Sequence, residues 1–240
     1  MTNYKNIFGK PVKFLATDPD NAEAEGQIWY NSTSDAFKSI VALEAWSSGA
    51  NLINGRNSLA GAGTQSTALG FGGATGPPAS ITALTEEYNG SGWSSGGSLN
   101  TARRYLAGAG TQTAGLAIGG TTTIPGAPGT TNATEEYDGS SWTAGGNLNT
   151  GRIGIGGLGI QTAAVAFGGA SNPPFANRDI TEEYNGSAWT TGGNLATARY
   201  YLGAAGTTAA GLAFGGSAPG ITAATEEWTA GLQIQTITVS

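Results

Sequence analysis

Thr134-Glu135-Glu136-Tyr137-Asp138-Gly139-Ser140-Ser141-Trp142 is the stretch whose recurrence decides the fold. Its opening block returns as Thr85–Tyr88 and Thr181–Tyr184, and as Thr225-Glu226-Glu227-Trp228 with Trp in place of Tyr. Trp93 and Trp189 occupy the place of Trp142, and Trp46 falls there one period earlier. A glycine pair precedes each block, at Gly72-Gly73, Gly119-Gly120, Gly168-Gly169 and Gly215-Gly216. Arg56, Arg103, Arg152 and Arg199 open the units at spacings of 47, 49 and 47 residues. A regular period of this size means one supersecondary unit used many times over.

Each unit reads as four short strands. In the second, Arg103 to Gly110 is extended and small-residued, Thr113 to Ile118 ends at the glycine pair, and Thr134 to Tyr137 alternates. Asp138-Gly139 then signals a tight turn, matched by Asn89-Gly90 and Asn185-Gly186, and Ser141 to Thr143 returns. No segment offers a helical apolar stripe. Four-stranded meanders repeated around an axis are the blades of a β-propeller. The Gly-rich first strand suits the crowded axis, and Tyr and Trp suit the wide outer half of a blade.

The order Gly119-Gly120, Glu136-Tyr137, Trp142, then Leu148 to Arg152, resembles kelch repeats over residues 44–228. The units are richer in Gly, Ala and Thr than kelch units generally are, and no acidic turn follows the glycine pair. With its Asn-Thr-Ala-Arg and Gly-Thr-Gln runs, the pattern is similar to kelch-like repeats of marine phages. Gly26 to Thr33 resembles a short piece of phage tail-fibre proteins. The resemblance implies an all-β propeller and a viral source.

Four units are plain, and the first 46 residues are close to one further period. With Leu232 to Val239 as a last outer strand, the expectation is a single five-bladed propeller domain over 1–240. Its units are 47–93, 94–142, 143–189 and 190–240, after 1–46 as a diverged blade or attachment segment. The alternative is four blades plus an N-terminal appendage.

Composition narrows the chemistry. Cys and His are both absent, which removes disulfides, thiolate–imidazole and Ser-His-Asp catalysis, and zinc sites built on those residues. The net charge is −6 and no basic run tracks a phosphate backbone, so nucleic acid is not an expected partner. Met1 to Lys13 lacks the apolar core of a signal peptide, and no stretch approaches membrane-span length. The expected location is a virion, or the host cytoplasm before release.

In a meander the loops between second and third strands share a face with the blade-to-blade connections. These loops are Ala74–Leu84, Thr121–Ala133, Ala170–Ile180 and Ser217–Ala224; they vary and carry prolines. Varied loops on a rigid frame suit binding. The candidate ligand residues are the polar and aromatic ones near this face, Arg104, Tyr105, Phe175, Asn177 and Arg178. Arg56, Arg103, Arg152 and Arg199 recur in phase and are read as structural, as are Trp46, Trp93, Trp142 and Trp189. Adjacent glutamates on a strand point to opposite faces, so a Glu-Glu pair does not act on one bond. Kelch-type propellers include copper oxidases and sugar-handling enzymes. The former need Cys and His, and a sialidase-like site would have to draw on Arg103, Arg152 and Arg199 with Tyr105 or Tyr201. The functional expectation is a non-catalytic binding protein that needs no cofactor or metal and recognises a host-surface glycan. The alternative is a structural protein contacting other virion proteins, with an apolar patch at Ile7, Phe8, Phe14 and Leu15.

Overall fold

The computed structural model describes residues 4–7, 10–15, 17, 28–39, 46–123 and 129–231. Among these, every regular element is a strand, and no helix is present that is long and apolar enough to cross a membrane. The chain forms two compact units, Met1–Ser48 and Gly49–Ser240.

The second unit is a propeller-type array. Blade I is built from Ala60–Gly63, Ala68–Phe71, Thr85–Tyr88 and Trp93–Ser95. Blade II uses Ala107–Gly110, Gly115–Ile118, Thr134–Tyr137 and Trp142–Ala144. Blade III uses Gly156–Ile160, Ala163–Phe167, Thr181–Tyr184 and Trp189–Thr191. All neighbours within a blade are antiparallel. Blade IV has Gly203–Gly206, Ala210–Phe214 and Thr225–Thr229. The outer strand expected at Leu232 to Val239 lies outside the described residues.

The first unit is different. Tyr4–Ile7, Lys10–Leu15, Ile28–Asn31 and Ala36–Ser39 make a four-stranded sheet, but the second and third strands run parallel. A meander blade has antiparallel neighbours throughout, and a parallel pair needs a long crossover instead. Among the described residues the array has four blades, and the first sheet, with its parallel pair, is not a meander blade; this fits the alternative of four blades plus an N-terminal appendage. Trp46 is fully exposed, so it does not fill the role that Trp142 fills in its blade. Phe8 and the side chains of Ile7 and Phe14, read as an apolar patch, lie outside the described residues.

The first strands line the axis. Those of blades I, II, III and IV pack side by side in that order. Their small residues permit this: a Cβ on Gly108 would lie 2.4 Å from the Gly61 carbonyl oxygen. Farther out, Leu69, Phe71, Leu106, Tyr137 and Trp142 fill the space between blades I and II. Leu116, Ile118, Leu148, Ile155, Tyr184 and Trp189 do the same between II and III.

One aromatic contact and three repeated hydrogen-bond links hold neighbouring blades together. Phe71 packs on Trp142 with ring centroids 4.9 Å apart. The indole of Trp142 donates to Thr85 Oγ1 at 2.9 Å, and that of Trp189 to Thr134 Oγ1 at 3.0 Å. The Tyr137 hydroxyl donates to Glu87 and the Tyr184 hydroxyl to Glu136, each at 2.5 Å. Gln112 donates to the carbonyls of Ala68 and Tyr88, and Gln161 to those of Gly115 and Tyr137.

Three of the loops between second and third strands contain regular structure. Ala74–Thr75 with Ser80–Ile81, Ala170–Ser171 with Ala176–Asn177, and Ser217–Ala218 with Gly220–Ile221 each form a small hairpin. Bridges at Asn57–Ala74, Arg104–Thr121, Ile153–Ala170 and Tyr200–Ser217 tie these loops to the incoming chain.

Candidate functional site

The four repeated arginines are buried, and each is spent inside its own blade. Arg103 Nη1 donates to the Ala133 carbonyl at 2.6 Å, and Nη2 lies 3.0 Å from Glu135. Arg152 donates to Gly168 O, Ile180 O and Glu182. Arg56 pairs with Glu86 and Arg199 with Glu226. Burial pulls the Arg103 and Arg152 pKa values down, opposed by the paired carboxylates. The other oxygen of each first glutamate accepts from the chain just ahead of the arginine: Ile53 N, Asn100 N, Asn149 N and Ala196 N. The second glutamate of blades I and II points the opposite way, to the next blade's tyrosine. This division follows from strand alternation. In the described blades each repeated arginine is held by its own first glutamate, and the two glutamates of blades I and II face different neighbours.

The exposed chemistry lies where the chain enters each innermost strand. Ser58, Tyr105, Gly154 and Tyr201 are equivalent positions, all left-handed, with φ of 55°, 54°, 59° and 54°. A string of backbone hydrogen bonds links them: Tyr105 N donates to Ser58 O, Gly154 N to Tyr105 O and Tyr201 N to Gly154 O. The Tyr105 and Tyr201 rings meet across blade III with centroids 5.3 Å apart. A Cβ on Gly154 would lie 2.6 Å from Tyr201 Cδ1, so only glycine there lets the rings meet. Tyr200 packs on Tyr201 at 4.7 Å, and Phe175 on Tyr200 edge-on at 5.4 Å. The Arg104 guanidinium lies 4.8 Å from the Tyr105 ring centre. Phe175 is 56% and Tyr201 50% exposed. Burial of the hydroxyl and the nearby Tyr105 phenol push the Tyr201 pKa up to about 12, so it remains a neutral donor.

Of the five residues singled out from sequence, Arg104, Tyr105 and Phe175 therefore join one aromatic run. Asn177 and Arg178 brace loops instead: Asn177 Nδ2 donates to Ser217 O, and Arg178 Nε to Ser171 Oγ at 2.9 Å. Tyr200 and Tyr201 complete the run and were missed as a pair. The signal was available, since Arg199-Tyr200-Tyr201 repeats Arg103-Arg104-Tyr105 in phase. Arg104 is buried and has no carboxylate partner among the described residues, and its Nε has no hydrogen-bond partner. No group of three or more acidic side chains converges to hold a metal ion among the described residues. The Asn-x-Ser/Thr triplets at Asn89 and Asn185 serve as turns, each Oδ1 accepting from two following amides.

Fold and face together define a β-propeller-type repeat protein with an aromatic surface at the loop end of its axis. The solved structure of YjhT is similar in fold at a TM-score of 0.63 and 14% identity, over 83% of this chain and 71% of that one. No family model and no curated protein matches the chain.

Proposed function

We propose that this chain is a non-catalytic binding module, displayed on a virus particle, that recognises a carbohydrate on a host surface through the Tyr105–Tyr201–Tyr200–Phe175 run. The observation that carries the reading is the contiguous run of rings, Tyr105 on Tyr201, Tyr201 on Tyr200 and Tyr200 on Phe175, with Phe175 and Tyr201 half-exposed. Tyr105 and Tyr201 lie in the left-handed region, where a non-glycine residue costs about 1–2 kcal/mol, and blade III shows that the position accepts glycine. Aromatic faces with phenolic donors suit the apolar faces and hydroxyl rims of sugar rings, with each ring offering a large area and a polar tip. The viral setting is supported by the resemblance to phage kelch-like repeats. A shallow face gives weak single sites, which display in several copies strengthens.

The test is binding of a labelled, multimerised protein to intact cells before and after mild periodate oxidation of surface glycans. Binding should be lost on oxidation and should be absent in Tyr201→Gly. Binding that survives oxidation, or no binding to any cell tested, contradicts the proposal.

A further inference from the structure

The four blades form an array with two ends, and those ends are complementary. The second strand closes with Phe71 in blade I, Ile118 in blade II, Phe167 in blade III and Phe214 in blade IV. The first three are 0%, 0% and 3% exposed, because the following blade covers them; Phe214 is 41% exposed. The opposite face of a blade shows the same contrast. Tyr137, Tyr184, Trp142 and Trp189 are buried against the preceding blade, whereas Tyr88 and Trp93 of blade I are half-buried. The innermost strands of blades IV and I do not make the extensive contact seen between successive blades.

Each inter-blade link is left half made at both ends. Glu227 occupies the position of Glu87 and Glu136, is exposed, and faces no following tyrosine. Tyr88, at the position of Tyr137, turns its hydroxyl to the Gly90 carbonyl instead. Gln65, at the position of Gln112 and Gln161, is exposed. The Gly73, Gly120 and Gly169 amides donate to the carbonyl of the next blade's arginine, a bond without a counterpart at Gly216 among the described residues. The axial string of backbone bonds stops at the Tyr201 carbonyl at one end and the Ser58 amide at the other. Beside Glu227 and Trp228 a groove of about 300 Å³ lies along blade IV, lined by Ala205, Gly211 and Leu212.

We propose that the blade IV flank of one copy receives the blade I flank of a second copy, reproducing the Phe–Trp, Glu–Tyr and Gln–carbonyl links found between blades I and II. The partner follows from the interface itself. The surface missing from blade IV is the surface that blade I carries, down to donor and acceptor. The contact is head to tail, so it closes into a ring if the rotation per copy permits and otherwise runs on as a chain. It rests on the array alone and is independent of the carbohydrate reading.

The chain contains no cysteine, which makes a thiol test clean. Tyr88→Cys and Glu227→Cys are prepared as full-length single variants and as the double variant, then treated with a short bis-maleimide. Mixing the two single variants should give a covalent product of twice the chain mass, several-fold more than either variant alone. The double variant should give dimers and larger species. A double variant linked only within one chain means that the array closes on itself, and overturns the proposal. A mixture that links no better than the separate variants overturns it as well. Sedimentation of the wild type gives a second reading that needs no variant in the interface: association should rise with concentration and should be lost in Phe214→Glu. A wild type that sediments as a monomer throughout contradicts the inference.

Discussion

One arginine per unit does in each blade what a longer strand pairing would do elsewhere. It joins the second-strand and third-strand carbonyls and neutralises the first glutamate, in a space that water does not reach. Removing one partner of a buried ion pair leaves the other uncompensated, at a cost of about 3–5 kcal/mol. Arg152→Met should therefore lower the denaturation midpoint sharply, measured by chemical unfolding, while Glu182→Gln with Arg152→Met together should recover part of the loss. A double variant no better than the single one would show that the pair is not the source. The tyrosines act between blades. Burial, then the bond to Glu87 or Glu136, pushes the Tyr137 and Tyr184 pKa values up to about 12. An unfolded tyrosine titrates near about 10. The folded state thus holds its phenolic protons more tightly, so this stability is complete below about pH 10 and is lost as pH rises toward 12. Tyrosinate absorbance should rise together with unfolding in that window. Tyr184→Phe should shrink the pH dependence and cost about 1 kcal/mol; an unchanged alkaline transition would argue against the inter-blade role.

At the scale of the element, the glycine pair shows what could be read in advance and what could not. Its period and its place at the end of the second strand were plain in the sequence. Its cause is spatial. The first glycine of each pair has φ near 61–66°, and a Cβ on Gly119 would lie 2.8 Å from the Arg152 carbonyl of the next blade. At Gly215 the nearest atom to such a Cβ is the Thr222 carbonyl oxygen, 3.7 Å away. Gly119→Ala should therefore destabilise by more than the left-handed backbone penalty of about 1–2 kcal/mol, and Gly215→Ala by about that penalty alone, compared by thermal melts of dilute protein. Equal losses would show that strain and not the neighbouring blade sets the requirement. The strands themselves were legible because alternation and turn pairs such as Asp138-Gly139 are local signals. The loop hairpins were not, because Ala74–Thr75 and Ala170–Ser171 carry no alternation long enough to register and are held by bridges to a distant entering strand. The parallel pair in the first unit was hidden for the same reason: pairing direction is a property of the crossover, which residue types do not encode.

For the whole molecule, the in-phase residues define a scaffold and the out-of-phase ones define its surface. Of the residues chosen by that rule, Arg104, Tyr105 and Phe175 lie in the aromatic run, while Asn177 and Arg178 brace loops; Tyr200 was not among them, and Tyr201 entered only as a candidate for a sialidase-like site. Tyr105 and Tyr201 are in phase with each other across two blades, with Gly154 between them, so their meeting depends on the curvature of the array and not on any one unit. The same curvature exposes the ends that the repeat alone would have closed. The central claim is that this aromatic run binds sugar. Its most direct test is a glycan array probed with the multimerised protein beside a Tyr201→Gly, Phe175→Ala variant. Relief of strain offsets the lost ring contacts at Tyr201, so the variant should remain folded with stability changed by only about 1 kcal/mol. The account predicts specific binding by the wild type and a blank array for the variant. Binding that the folded variant retains, or a blank array for the wild type, would contradict it.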